Sequence, residues 1–365
     1  MKILLCGGGT EGHIAPSMAL AEKMKQRGDA FLFCARANGD ENQKILARKY
    51  PFAPIDIQSF SSYRWSDKWQ FIKKLKVALK ESEKIIEDFR PDALFATGGY
   101  VSFAPLYIAK KKQIPIYIHE ANAIAGTVTK HFRNVAKSIF LGLPNSEMNF
   151  TNFKNIKYVG IPVREDFYKI TRSVARRHLG IKDEFVIISF GGSLGAQKLN
   201  EVCLEIMRVY SSKTDAIHIH ATGKSYYEKM CGICHDFLVS KGKCRAVSYL
   251  EDMAYYLAGA DVVICRAGAA TISEILSTGA YPILIPSPNV KNNHQFYNAR
   301  CIADITKTPV LSETQHLTGD VLQEIEYVRN HPSEATGRRE KIKSLFRENC
   351  AEIILEHIHK EVFYM

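Results

Sequence analysis

The sequence predicts an α/β protein built from two doubly wound parallel-sheet domains, and three observations carry that prediction. Short apolar runs of strand length end in glycine and are followed by helix-period patterns, as in Lys2–Cys6 before Gly7-Gly8-Gly9. Strands and helices alternate along the chain, which calls for parallel sheets covered by helices on both faces. The pattern then restarts at Phe185–Phe190, ahead of Gly191-Gly192-Ser193-Leu194-Gly195, and 365 residues exceed what one hydrophobic core usually serves.

Taken in order, the first strand leads through its glycine turn into a helix whose pattern starts near Pro16 and carries Met18, Leu20, Ala21 and Met24. A second strand is expected over 31–34, and an amphipathic helix over 69–89 precedes the strand Ala93–Ala96. Gly98-Gly99 ends that strand, a helix follows over 105–110, and strands follow at 116–119 and Ser138–Leu141. After the restart, a helix begins at Gln197, and strands are expected at 217–221, 247–249, Val262–Cys265 and 282–285. These readings place a first domain at 1–160, a second at 161–335, and a terminal helix within 336–365 that packs back on the first domain.

Composition narrows the class. Hydrophobic residues make up 46% and charged residues 24%, ordinary values for a globular protein. No apolar run reaches the roughly 18–20 residues needed to span a bilayer. Glycines interrupt the first apolar run at once, so Cys6 reads as a buried strand residue, not part of a leader, and a cytosolic chain is expected. Nine cysteines are scattered, too sparse for a disulfide framework. Cys231-x-x-Cys234, with His235 and Cys244 downstream, lacks the second tight pair of a zinc site, so no metal is expected. The formal charge of +11 fits nucleic acid, an anionic membrane or a polyphosphate ligand equally well.

The glycine turns carry the chemistry. Gly8-Gly9-Thr10-Glu11-Gly12-His13 follows a strand and opens a helix, whose free N–H groups attract an anion. The turn is neither G-x-G-x-x-G nor a G-K-S/T phosphate loop. His13 lies where a ligand meets that helix start, and an imidazole there suits a base that deprotonates a hydroxyl. Arg266-Ala267-Gly268-Ala269-Ala270-Thr271 offers another helix N-terminus for phosphate, with Glu274 expected on its first turn to accept from a ribose diol. Asn292-Asn293-His294-Gln295 sets amides beside prolines, and amides both donate to and accept from sugar hydroxyls.

Gly8-Gly9-Thr10-Glu11-Gly12-His13, Thr97-Gly98-Gly99-Tyr100-Val101-Ser102, His119-Glu120-Ala121-Asn122-Ala123-Ile124-Ala125-Gly126, Gly160-Ile161-Pro162-Val163-Arg164, Gly191-Gly192-Ser193-Leu194-Gly195-Ala196 and Asp261 through Glu274, in this order, resemble the MurG-type transferases over nearly the whole chain. The resemblance implies a GT-B fold, two Rossmann-like domains facing a central cleft. It also implies inverting transfer of N-acetylglucosamine from UDP-N-acetylglucosamine to the 4-hydroxyl of the muramyl sugar of undecaprenyl-linked lipid I, giving lipid II for peptidoglycan. No cofactor is required on this reading.

By the same resemblance, Leu250 would lie against uracil and Glu274 would take the ribose. Ser193, Ala269, Ala270 and Thr271 would hold the diphosphate, with Arg164 adding charge. His294, Gln295 and Asn122 would reach the sugar. Gly9, Thr10, Gly12, Gly99 and Tyr100 would meet the acceptor, with Thr10 and Gly12 also bordering the donor. His13 is the candidate base, with Glu120 sharing or assuming that role. Four positions depart from the family pattern: Glu11 for glycine, Ile161 for asparagine, Ala267 for serine and His294 for glutamine.

The segment from Tyr63 to Lys76 interleaves both tryptophans with lysines. Trp65, Trp69, Phe71, Ile72 and Leu75, beside Lys73 and Lys74, suit an anionic headgroup layer. The expected location is the cytoplasmic face of the bacterial inner membrane, held peripherally, with other cell-wall synthesis proteins as further partners. Another GT-B transferase acting on a lipid acceptor is the nearest alternative. A nicotinamide dehydrogenase would need G-x-G-x-x-G with an acid about twenty residues on. A nucleic-acid partner is not expected, because neither zinc-finger spacing nor an RNA-recognition motif accompanies the charge.

Overall fold

The computed structural model describes residues 1–8, 11–39, 42–58, 65–192, 194–213, 215–230, 232 and 243–364; residues 11–13, 44 and 65–68 are described by their backbone course alone. The chain divides into two compact units, Met1–Val163 with Arg347–Met365, and Arg164–Phe346.

In the first unit, strands β1 (Lys2–Cys6), β2 (Ala30–Arg36), β3 (Phe52–Ile55), β4 (Ala93–Ala96), β5 (Ile116–Glu120), β6 (Ser138–Leu141) and β7 (Ile156–Tyr158) form one sheet. Its order is β3-β2-β1-β4-β5-β6-β7, and every pair is parallel. Side chains alternate across it, as a period of two requires. Ile3, Leu5, Phe33, Phe95 and Tyr117 face one core, while Leu4, Cys6, Cys34, Leu94 and Ile118 face the other. The first core is closed by α1 (Glu11–Arg27), through Ile14, Met18, Ala21 and Met24. Helices α2 (Asn42–Ala47), α3 (Trp65–Phe89), α4 (Phe103–Lys111) and α5 (Thr127–Phe132) complete this part of the chain. Ala78 and Ile86 of α3, Leu106 of α4 and Phe132 of α5 close the second core.

Strands β3 and β7 were not foreseen from the sequence, and both are short edge strands. Pro54 inside β3 hides it from a pattern search, because proline has no N–H for the ladder and survives only at a sheet edge. Helix α1 starts at Glu11 and so encloses Pro16, which the sequence reading set near its beginning. The helix accepts the proline close to its N-terminal end, where only the Gly12 carbonyl loses a donor.

The second unit carries α6 (Asp166–Lys169), α7 (Arg172–His178), β8 (Phe185–Phe190), α8 (Gln197–Ser211), β9 (Ala216–Ala221) and β10 (Cys244–Val247). Then come α9 (Met253–Gly259), β11 (Val262–Cys265), α10 (Ala269–Thr278), β12 (Pro282–Leu284), α11 (His294–Thr306), α12 (Leu317–Asn330) and α13 (Pro332–Ser344). The sheet order is β10-β9-β8-β11-β12, again parallel throughout. Strand β10 ends at Val247, so the run expected at 247–249 is mostly the loop beyond it. Cys231, Cys234 and His235 lie outside the described residues, and Cys244 is a buried free thiol on β10.

The single terminal helix expected from the sequence is two helices. Helix α13 starts with Pro332 in its first turn, a position proline favours, and packs on α10 and α11 of the second unit. Residues 345–349 interrupt the path, with Asn349 left-handed at φ 62°. Helix α14 (Cys350–Phe363) then returns to the first unit, where Ala351, Ile354, Leu355 and Ile358 join the core beneath α1.

Candidate active site

Each sheet reverses its winding once. In the first unit, β1 leads outward to β2 and β3, whereas β4 leads the other way to β5, β6 and β7. In the second, β8 leads to β9 and β10, and β11 leads to β12. Open α/β sheets bind ligands beyond the carboxyl ends of strands at such reversals. All four glycine turns singled out from sequence follow the strands flanking these points: β1 and β4, and β8 and β11.

Beyond β4, Gly98 and Gly99 take φ values of 81° and 75°, a left-handed pair that side chains resist. The turn is tied to β1: the Thr97 N–H donates to the Cys6 carbonyl at 2.9 Å, and Ser102 Oγ donates to the Gly98 carbonyl at 2.7 Å. Tyr100, half-buried, opens the 3-10 turn that precedes α4. Gly9 and Thr10 lie outside the described residues. Glu11, Gly12 and His13 form the first turn of α1 and are described by backbone alone.

Glu120 ends β5 and is buried at 4% exposure. Its Oε2 accepts from the Gly126 N–H at 2.9 Å and the Thr129 hydroxyl at 2.6 Å, and its Oε1 from the Asn122 N–H at 3.2 Å. Both oxygens of the residue offered as a second base are therefore engaged by its own loop. Thr129 belongs to α5 and Gly126 is its N-cap residue, so the carboxylate serves a helix N-terminus whose own cap residue offers no side chain. Next to it, fully buried His119 donates from Nε2 to the Gly160 carbonyl at 2.9 Å. That bond fixes the exit of β7, where a Cβ on Gly142 would come within 2.6 Å of Ile161.

In the second unit, Gly191 admits no side chain, since a Cβ there would meet the Ala196 nitrogen at 2.7 Å. Ser193 lies outside the described residues. Gly268 caps α10 without any side-chain hydrogen bond, and Ala269, Ala270 and Thr271 form the first turn. Glu274 is the sixth residue of α10, on its second turn and not its first as expected from sequence, because the helix starts at Ala269. At helical spacing it shares a face with Ala270 and Thr271. The turn is braced from behind: Arg266 pairs with Glu313 and donates to the Ile285 carbonyl at 3.1 Å, and buried Asn298 donates to the Ala267 carbonyl at 3.1 Å.

Leu250 is buried three residues beyond β10. His294 starts α11 and donates from Nδ1 to the Lys291 carbonyl at 3.0 Å; Gln295 Oε1 accepts from the Ser287 N–H at 2.8 Å. Arg164 is exposed, paired with Asp166 at 3.2 Å and stacked on Phe167. Among the described residues, no group of three or more His, Cys, Asp or Glu could hold a metal ion.

The proposed membrane segment divides. On α3, Trp69 is 72% and Ile72 44% exposed, whereas Phe71 and Leu75 are half-buried on the side that carries buried Ala78. At about 100° per residue, Phe71 and Leu75 lie within about 60° of Ala78, whereas Trp69 lies on the opposite side of the helix. Lys73 is exposed and Lys74 pairs with Asp56 at 3.0 Å; the Trp65 side chain lies outside the described residues. No helix among the described residues is long and apolar enough to cross a membrane.

The sequence reading passed over Ser189, Asn200, His218 and His220, which are fully buried and hydrogen-bonded together behind the first turn of the second unit. The signal was the alternation Ile217-His218-Ile219-His220, which places both imidazoles on one face of a strand.

Comparison with known proteins agrees with this arrangement. Residues 3–141 match the model of the glycosyltransferase family 28 N-terminal domain, and residues 186–353 match that of its C-terminal domain. A UDP-N-acetylglucosamine–N-acetylmuramyl-(pentapeptide) pyrophosphoryl-undecaprenol N-acetylglucosamine transferase of Caldanaerobacter subterraneus subsp. tengcongensis is 34% identical, with 96% of this chain and 97% of the relative covered. Its namesake in Acetivibrio thermocellus is 33% identical, over 98% and 97%. Among solved structures, Acinetobacter baumannii MurG superposes with a TM-score of 0.77 at 24% identity, over 98% of this chain and 99% of that one. A UDP-N-acetylglucosamine 2-epimerase from Neisseria meningitidis superposes at 0.68 and 14% identity, over 99% and 100%, so the fold alone does not fix the reaction.

Proposed function

The chain belongs to glycosyltransferase family 28, among its N-acetylmuramyl-(pentapeptide) pyrophosphoryl-undecaprenol N-acetylglucosamine transferases, and from that premise we propose that it converts lipid I to lipid II. The donor is UDP-N-acetylglucosamine. The 4-hydroxyl of the muramyl sugar attacks the anomeric carbon, the bond to UDP breaks, and the configuration inverts.

The observation that carries this reading is the coincidence of glycine turns with the winding reversal of both sheets. In the second unit, the uncapped start of α10 meets the diphosphate, and Glu274, one turn further on the same face, takes the ribose hydroxyls. Leu250 borders the uracil, Arg164 adds positive charge, and His294 and Gln295 face the transferred sugar. Negative charge grows on the departing diphosphate in the transition state, and helix N–H groups already aimed there stabilise it without reorganisation. On this reading no metal or organic cofactor is assigned to the reaction.

In the first unit, Gly9, Thr10, Gly12, Gly99 and Tyr100 hold the acceptor, and His13 takes the proton of the attacking hydroxyl. Glu120 is assigned a positioning part, since its carboxylate already accepts from Asn122, Gly126 and Thr129. It orders the loop that presents Asn122. Trp69 and Ile72, with Lys73 beside them, form the contact with an anionic membrane surface at the cytoplasmic face.

Thermal unfolding with UDP, UDP-N-acetylglucosamine, NAD and ATP tests the reading. A ligand at about a hundred times its dissociation constant adds about 2.7 kcal/mol of stability. Stabilisation by the uridine ligands alone is expected; a response to NAD or ATP without one to UDP overturns it.

A further inference from the structure

Behind the Gly191–Gly195 turn lies a chain of hydrogen bonds among five fully buried residues, Ser189, Asn200, His218, His220 and Thr222. Its polarity is fixed from one end. Asn200 Nδ2 donates to the Thr222 carbonyl at 3.0 Å, and a carbonyl only accepts. Asn200 Oδ1 is therefore the acceptor for His220 Nε2 at 3.1 Å, so that nitrogen carries the proton. His220 Nδ1 is then bare and accepts from the Ser189 hydroxyl at 2.8 Å. Ser189 Oγ in turn accepts from His218 Nε2 at 2.8 Å. The acceptor role of its Nδ1 requires His220 to be neutral, whereas His218 Nε2 donates in either protonation state. Burial favours the neutral form of both, pushing His220 down to about 4 and His218 well below its ordinary value.

The chain ends at the turn. A Cβ on Gly195 would sit 2.1 Å from the Thr222 carbonyl oxygen, and one on Gly223 would sit 2.4 Å from the Gly195 nitrogen. Both glycines have positive φ, 77° and 84°. The carbonyl that Asn200 aims is thus the surface against which Gly195 packs. Asn200 is also the fourth residue of α8, and its N–H bonds the Ala196 carbonyl at 2.9 Å. The side chain that aims the Thr222 carbonyl thus projects from the first turn of the helix that follows the glycine turn.

We propose that His220 and Asn200 are positioning residues for donor binding: they hold the turn at Gly191, Gly192 and Gly195 in the shape that receives the donor diphosphate, without touching it. This inference rests on the donor site assigned above. The two limbs of His220 are separable. In His220→Gln the longer amide keeps a donor toward Asn200 and gives up Ser189; in His220→Asn the shorter amide keeps an acceptor for Ser189 and cannot reach Asn200.

The test measures the KM for UDP-N-acetylglucosamine, the kcat with a lipid I analogue, and UDP affinity by calorimetry, on full-length His220→Gln, His220→Asn and Asn200→Ala. Loss of one buried directed bond raises donor KM about tenfold in His220→Asn and Asn200→Ala, with kcat and acceptor KM little changed. His220→Gln is expected to recover most of that loss. If His220→Asn fails to fold, Asn200→Ala carries the comparison, since it leaves the two strand histidines in place. Equal donor KM in both His220 variants, or wild-type donor KM in all three with only lower melting temperatures, overturns the inference and leaves the donor site standing. Failure of the wild-type protein to bind either uridine ligand overturns the donor site and this inference with it.

Discussion

The two units solve one problem with opposite chemistry. Each must hold a loop beyond the carboxyl end of a strand in a fixed shape, after β5 in the first unit and after β8 in the second. The first unit uses an ionisable carboxylate: Glu120 gathers the Asn122 and Gly126 N–H groups and the Thr129 hydroxyl around itself. The second uses a neutral chain, His218 to Ser189 to His220 to Asn200, ending on the Thr222 carbonyl. The carboxylate gathers several donors at one point, whereas the neutral relay fixes the backbone without adding a charge behind the turn.

The largest break in this comparison comes from Glu120→Ala, which leaves three donors facing no acceptor. We expect transfer to fall at least about a hundredfold and the first unit to lose about 3 kcal/mol, read by turnover and denaturant unfolding. Glu120→Gln, which keeps one acceptor oxygen, should recover part of both. The matching break in the second unit is Gly195→Ala, whose added methyl has no room against Thr222. It should remove measurable UDP binding by calorimetry while leaving the binding of small vesicles unchanged.

Titration sharpens the contrast further. His220 is pushed down to about 4 by burial, so between about pH 6.5 and 4 the unfolded chain binds a proton that the folded one refuses. Stability is full above the unfolded value and falls as pH drops through that window, by up to about 1.4 kcal/mol per pH unit for each such histidine. His218 shifts the same way. Denaturant midpoints against pH should show this slope, and His220→Gln should reduce it.

The smallest effect concerns the surface of the first unit. Trp69→Ala and Ile72→Ala should weaken binding to anionic vesicles by about tenfold, with turnover of a short-chain soluble acceptor unchanged. Phe71→Ala should instead lower stability, because that side chain faces inward.

Most of the fold was legible in the sequence, because buried parallel strands are short apolar runs punctuated by glycine. The edge strands were not: Pro54 breaks the pattern of β3, and β7 has three residues. The break between α13 and α14 was missed because nothing in 345–349 announces a stop except Asn349 in a left-handed conformation. At the site, the glycine turns were visible as motifs, and their meeting at the reversals follows from strand order. The role of Glu120 was not visible, since its partners lie two, six and nine residues along the chain and meet it only after the loop folds. Nor was the histidine relay, whose members on β8, α8 and β9 are joined by sheet packing alone.

Acceptor-dependent sugar transfer is tested most directly by following UDP release and product linkage together, using UDP-N-acetylglucosamine and a lipid I analogue. One UDP released per disaccharide formed, an inverted linkage to the 4-hydroxyl, and no turnover without acceptor are expected. Consumption of the donor in the absence of acceptor, with the sugar epimerised or hydrolysed, would contradict it.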